Sequence, residues 1–140
     1  MNLNGMKAIT LLQPWATLVV RGEKTIETRN WNTHHRGAIL IHASKGYAGE
    51  IVASAHSFKK RIKDFHTLPF GAIIGKAILT EVIRLPVHNL SDELMNQFTL
   101  EDKAFGDYSH GRYAWMLEDA IEFTKPIKSK GSLHIWTYYN

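Results

Sequence analysis

The feature that most limits what this chain can fold into is the stretch Ala72 to Leu85. It is long, rich in β-branched residues, and bounded by Gly71 and Pro86. Such a segment resists a helix and suits a central strand of a curved sheet, with Gly75 marking a bulge or a close approach. Other strands are predicted at Met6 to Leu12, Lys24 to Arg29, Gly37 to Ser44, Arg112 to Glu118 and Leu133 to Tyr139. In Gly37 to Ser44, Ile39, Ile41 and Ala43 alternate with Leu40, His42 and Ser44.

Helices are expected between them. Pro14 suits the first turn of a short helix carrying Trp15, Leu18 and Val19, and Gly22 suits its end. Ile51, Val52, Ala55 and Phe58 lie at helical spacing within Tyr47 to Phe58, and Ser91-Asp92-Glu93 reads as a third helix start with Leu94 and Phe98 turned inward. The strands and helices are too irregularly ordered for repeated βαβ units. The expected fold is therefore α+β, a small mixed, mostly antiparallel sheet curled toward a barrel with peripheral helices.

At 140 residues, with no repeat, low-complexity tract or proline-rich linker, the chain is expected to be one domain spanning residues 1–140. It has no cysteine, which removes disulfides, thiolate nucleophiles and cysteine-ligated metal. His34 and His35 are adjacent and diverge in an extended chain, and neither His110 nor His134 belongs to a close ligand motif, so no metal site is expected. Gly71 to Lys76 lacks the spacing of a phosphate-binding P-loop, and no cofactor is expected. No apolar run reaches membrane-spanning length and the first residues lack a signal-peptide layout, so a cytoplasmic location without a membrane partner is expected. The net charge of +4 favours polyanions only weakly.

The densest polar cluster is Gly22-Glu23-Lys24-Thr25-Ile26-Glu27-Thr28-Arg29. In an extended segment Thr25, Glu27 and Arg29 share one face while Ile26 turns to the core, so Glu27 and Arg29 are placed to pair. Lys24 adds a second cation. Arg29 would hold a phosphate or fix Glu27, and Lys24 would meet another phosphate or a developing oxyanion. A surface strand of alternating charges, worth about 0 to 1 kcal/mol per pair, is the competing reading.

The spacing Gly22-x-Lys24-x-x-Glu27-x-Arg29 resembles the GxKxxExR signature of the ASCH (activating-signal-cointegrator homology) domains of the PUA-like superfamily. Gln13-Pro14-Trp15-Ala16, Arg29-Asn30-Trp31, Arg36-Gly37, Ile41-His42-Ala43-Ser44-Lys45, Phe70-Gly71-Ala72-Ile73, Tyr113-Ala114-Trp115 and Lys130-Gly131 followed by Trp136 are similar to landmarks of its bacterial and phage members. Leu90 to Gly111 carries none of them. The resemblance implies a small β-barrel with a cleft beneath the signature that binds RNA or another nucleic acid. It also implies an enzymatic alternative, because some relatives deacetylate N4-acetylcytidine and others are ribonucleases. The amidohydrolase group uses a lysine, matched by Lys24, and a threonine three positions on, where this chain has Glu27. Its downstream glutamate finds only Glu93 and Glu101 as loose counterparts.

The leading expectation is a pocket for RNA or a modified nucleoside, with Gly22, Lys24, Glu27, Arg29, Trp31, His42, Ser44 and Lys45 around the ligand. The alternatives are a metal-independent hydrolase, an amidohydrolase or ribonuclease with Lys24 and Glu27 catalytic, and a protein-interaction domain. Trp15, Trp31, Tyr113 and Trp115 come from segments able to meet at a cleft, Trp31 as an exposed stacking platform and Trp115 more often as core. His42, Ser44 and Lys45 are expected to line one cavity, with a buried, hydrogen-bonded His42 equally consistent. Lys59, Lys60, Arg61 and Lys63 form the densest basic run, and Lys125, Lys128 and Lys130 a second group. Each is either a solvated surface or a guide for a phosphate backbone.

Overall fold

A computed structural model of the chain describes residues 2–85, 105–109 and 111–140. The helix expected at Ser91 and the glutamates Glu93 and Glu101 lie outside them, as does His110. Among the described residues six strands form one mixed, curled half-barrel sheet: β1 (Lys7–Leu11), β2 (Ile26–Arg29), β3 (Gly37–Ala43), β4 (Ala72–Arg84), β5 (Tyr113–Lys128) and β6 (Ile135–Thr137). Their order across the sheet is β2-β5-β4-β3-β1-β6. Only β1 and β3 pair in parallel; the other four pairings are antiparallel. This is the α+β, curled, mostly antiparallel architecture that the alternating and β-branched segments predict, with the curl stopping at half a barrel.

Strand β4 is central, as its composition requires, and Gly75 explains the curl. The β4–β5 register shifts between Ile73 and Gly75, and a Cβ on Gly75 would stand 2.3 Å from the Ile121 carbonyl oxygen and 2.5 Å from Val20. Any side chain would push β5 and the helix off β4. That helix, α1 (Trp15–Val20), buries Ala16 to Val20 against β3, β4 and β5. Gln13 anchors its start: its Oε1 accepts from Thr17 N at 3.0 Å while its Nε2 donates to the Pro69 carbonyl at 2.8 Å. Gly22 follows the helix at φ +73°, a conformation that suits glycine, and the chain enters β2.

Two elements differ from the periodicity. Tyr47 to Phe58 is not one helix but two single turns, α2 (Glu50–Ala53) and α3 (His56–Lys59), separated where Ala55 adopts an extended ψ of 150°. Ser54 Oγ donates to the Ile51 carbonyl, and Ile51, expected to face inward, is 84% exposed. Strand β5 runs 16 residues, ten beyond Glu118, because β4 offers a partner along almost its whole length. No helix among the described residues is long and apolar enough to cross a membrane.

Candidate functional site

The site begins with β2. Ile26 and Thr28 are buried, whereas Glu27 and Arg29 emerge on the other face. Both line a hollow of about 540 Å³, floored by Trp15, Phe58 and Phe105 and rimmed by Asp107 and Arg112. The expected Glu27–Arg29 ion pair is absent among the described residues: the Arg29 guanidinium lies over the Trp31 ring, 5.7 Å from its centre. Glu27 Oε2 is enclosed and has no hydrogen-bond partner there. A carboxylate oxygen removed from water and left unpaired costs more than an ordinary lost hydrogen bond.

Lys24 stands behind the wall of this hollow, 2% exposed. Its Nζ donates to the carbonyls of Ile26 at 2.6 Å and Phe105 at 3.0 Å. The Phe105 carbonyl also accepts from Trp15 Nε1 at 3.0 Å, Asp107 N donates to Thr28 Oγ1 at 3.2 Å, and Arg112 Nη2 donates to the Thr28 carbonyl at 2.9 Å. Four bonds therefore fasten Phe105, Asp107 and Arg112 of the far wall onto Trp15, Lys24 and Thr28. Hydrogen bonds from Ser109, aided by Arg112, hold the Asp107 carboxyl below its ordinary range.

A second hollow of about 520 Å³ adjoins the first, sharing Thr10 and Ser44 with it. His42, Ser44 and Lys45 line it from β3 and the following residues, facing Ser129 to Leu133. The parallel β1–β3 register sets Thr10 beside His42. His42 is both buried and at the cavity: it is 2% exposed, its Nε2 lies 2.7 Å from the Ser129 carbonyl oxygen, and burial lowers its pKa more than that bond raises it. None of the described residues lining this hollow is acidic.

The remaining predicted residues divide. Trp31 is not an exposed platform; it is half-buried, edge-on to Trp115 at 4.8 Å and to His134 at 4.7 Å, because the outward side of β2 continues onto the core ring of Trp115. Trp115 is core. Gly22 closes α1. Lys59, Lys60 and Lys63 are exposed, Arg61 pairs with Glu23 at 3.5 Å, and Phe58 of the same turn reaches the first hollow. Sequence reasoning missed Thr10, Thr28, Asp107 and Arg112 as site residues. Thr10 and Thr28 look like ordinary strand residues, and Asp107 and Arg112 reach the site only through long-range stitching.

A mixed, mostly antiparallel sheet curled around one helix, with a polar two-part cleft at its surface, is an α+β architecture. The family comparison narrows this: the ASCH domain model matches residues 9–127, and the chain belongs to the ASCH domain family, a PUA-like fold generally associated with RNA binding. The chain is similar to Activating signal cointegrator 1 of Mus musculus and of Homo sapiens, each 25% identical over 139 residues covering 95% of this chain. It spans only 22% of those proteins. Among solved structures, ASCH from Zymomonas mobilis matches with a TM-score of 0.53 and 22% identity, covering 89% of this chain and 73% of that one. A ZmASCH point mutant from the same organism matches at 0.55 and 22%, covering 89% and 76%. These two similarities concern the fold.

Proposed function

We propose that the chain binds RNA or a modified nucleoside in the first hollow. The observation that carries this reading is the enclosed, unpartnered Oε2 of Glu27 in a cavity floored by Trp15, Phe58 and Phe105. A nucleobase answers both demands, because its rings lie against aromatic and apolar surface while an N–H on its edge donates to the carboxylate. Arg29 and Arg112 at the rim supply charge for a phosphate, and the exposed lysines Lys59, Lys60 and Lys63 extend a basic track from the turn that carries Phe58. The hydrolytic alternative needs the Lys24 ammonium at a reacting atom. Its two carbonyl bonds favour a positioning role instead.

The test is binding of single-stranded RNA and of free nucleosides at low salt, by fluorescence anisotropy and calorimetry. Glu27→Gln is expected to weaken binding about tenfold and Arg29→Ala by a similar factor, as a charge-assisted hydrogen bond is worth about 1.5–3 kcal/mol. Affinity unchanged in both variants, with folding intact, overturns the reading. Incubation with N4-acetylcytidine and with labelled RNA, each with chelator, checks the hydrolytic alternative. Turnover abolished by Lys24→Arg at unchanged stability would replace binding with catalysis.

A further inference from the structure

A ring that neither the core nor the first hollow uses stands at the surface beside the second hollow. Tyr47, between β3 and α2, is 57% exposed although it belongs to a cluster of rings. Phe70, His66 and Phe65 lie edge-on to it, with centroids 4.9, 5.6 and 6.1 Å away. Phe65 is buried by this cluster and Tyr47 is not. A ring more than half in water keeps an open surface, and its neighbours fix that surface in place, so stacking on it costs little further ordering. The backbone beneath is fixed as well. A Cβ on Gly49 would stand 1.8 Å from the Gln13 carbonyl oxygen and 2.9 Å from the Trp15 ring, so the chain two residues beyond Tyr47 lies directly on the start of α1. Glu50 N donates to the Tyr47 carbonyl at 3.0 Å, and the Glu50 carboxylate is occupied by the His66 ring.

Lys45 joins this ring to the second hollow. Its stem crosses Gly71, where a Cβ would stand 2.9 Å from Lys45 Cγ and 3.0 Å from Cε, while the Tyr47 ring packs on Phe70. Stem and ring therefore rest against consecutive residues, whose Cα atoms are about 3.8 Å apart. Lys130 lines the same hollow, and Ser44 Oγ, which accepts from Gly46 N at 3.2 Å, keeps its own hydrogen to donate. With two ammonium groups, a hydroxyl donor and no acidic side chain among the described lining residues, the hollow suits an anion. Cations beside a flat exposed ring are what a single-stranded nucleic acid meets on its binding proteins, the phosphate on the charge and the base on the ring. Thr10 and Ser44, shared by both hollows, make the path from the first hollow to Lys45 continuous.

We infer that the second hollow and Tyr47 form the subsite of a neighbouring nucleotide, its phosphate held by Lys45 and Lys130 and its base stacked on the Tyr47 ring, so that the ligand is a single strand and not a free nucleoside. This rests on the first hollow's being a nucleic-acid site, and it decides between the two ligands which that reading admits.

The experiment measures, by calorimetry on the full chain, the affinity for a mononucleotide and for its tetranucleotide, in each of the four RNA bases. The tetranucleotide is expected to bind at least about tenfold tighter than the mononucleotide in the base that the first hollow prefers. Tyr47→Ala should remove most of that gain, about tenfold in tetranucleotide affinity, whereas Tyr47→Phe, which keeps the ring, should retain it. Tyr47→Leu keeps apolar contact with Phe65 and Phe70 without a ring, and decides the matter if the alanine variant fails to fold. The salt dependence of tetranucleotide binding should be the same in the Tyr47 variants as in the parent, because no cation is removed. A tetranucleotide that binds no tighter than the mononucleotide overturns the subsite and leaves the first-hollow reading standing. A gain that survives a folded Tyr47→Ala or Tyr47→Leu overturns it too. Failure of every mononucleotide and tetranucleotide to bind overturns both proposals.

Discussion

The two hollows are nearly equal in volume and share Thr10 and Ser44, but they are made differently. The second is largely a product of sheet register: Thr10 and His42 are neighbours on β1 and β3, and the loop opposite is tied to His42 through the Ser129 carbonyl. The first depends on chain segments far apart in sequence, its far wall hung from Lys24, Trp15 and Thr28 by side-chain hydrogen bonds. Their charges differ too, mixed acid and guanidinium in the first and cations alone among the ionised side chains of the second. A cleft of this kind joins a half set by strand register to a half whose shape is conditional on a few buried anchors.

Breaking an anchor should therefore give the largest effect. Lys24→Met removes the ammonium from two carbonyls in a dry environment, and at about 1.5–3 kcal/mol for each charged hydrogen bond the loss should be at least about 3 kcal/mol in urea unfolding. The first hollow should lose its ligand as its wall detaches. If stability changes by less than 1 kcal/mol while binding vanishes, Lys24 touches the ligand and the anchor assignment is wrong.

Next comes the electrostatic contrast. Lys45→Ala with Lys130→Ala should flatten the dependence of RNA affinity on salt by about 0.7 in log–log slope if one phosphate contact is lost, and by twice that if two are. Glu27→Gln should weaken binding with no change in slope, since it removes no cation. A slope unaffected by the double variant would show that Lys45 and Lys130 meet no phosphate.

Thr28→Val tests the stitching more gently. It deletes the Oγ1 acceptor for Asp107 N while keeping the strand's β-branched shape, at a cost of about 1 kcal/mol. Urea unfolding should register that loss, and no loss would show that Asp107 N does not depend on this hydroxyl.

The same division explains what the sequence discloses. Alternation places Glu27 and Arg29 on one face of β2 correctly, because period two is a local property of an extended chain. The long β-branched segment locates the central strand, and Gly75 sits at the register shift expected of it. The ion pair between Glu27 and Arg29 is not legible in this way, since a nearby ring, that of Trp31, captures the guanidinium. Nor is the burial of Lys24, which follows from the arrival of Phe105 some eighty residues later. The helix from Tyr47 to Phe58 fails for a local reason: the Ser54 hydroxyl offers the backbone another partner, and helical spacing alone does not register that competition.

The smallest effect expected is that of acid on the second hollow. Burial sets the His42 pKa below its ordinary value, against the opposing pull of the Ser129 carbonyl, so between the folded and unfolded pKa values the unfolded chain binds more protons. Stability from this residue is complete above about pH 6.5 and declines as the pH falls through that value toward the folded pKa. His42→Gln should lack this decline, visible as the difference between the two urea titrations from pH 7 to 5. The Asp107 carboxyl contributes in a separate window, because its lowered pKa confers stability that is lost only as the pH drops below the ordinary carboxylate range.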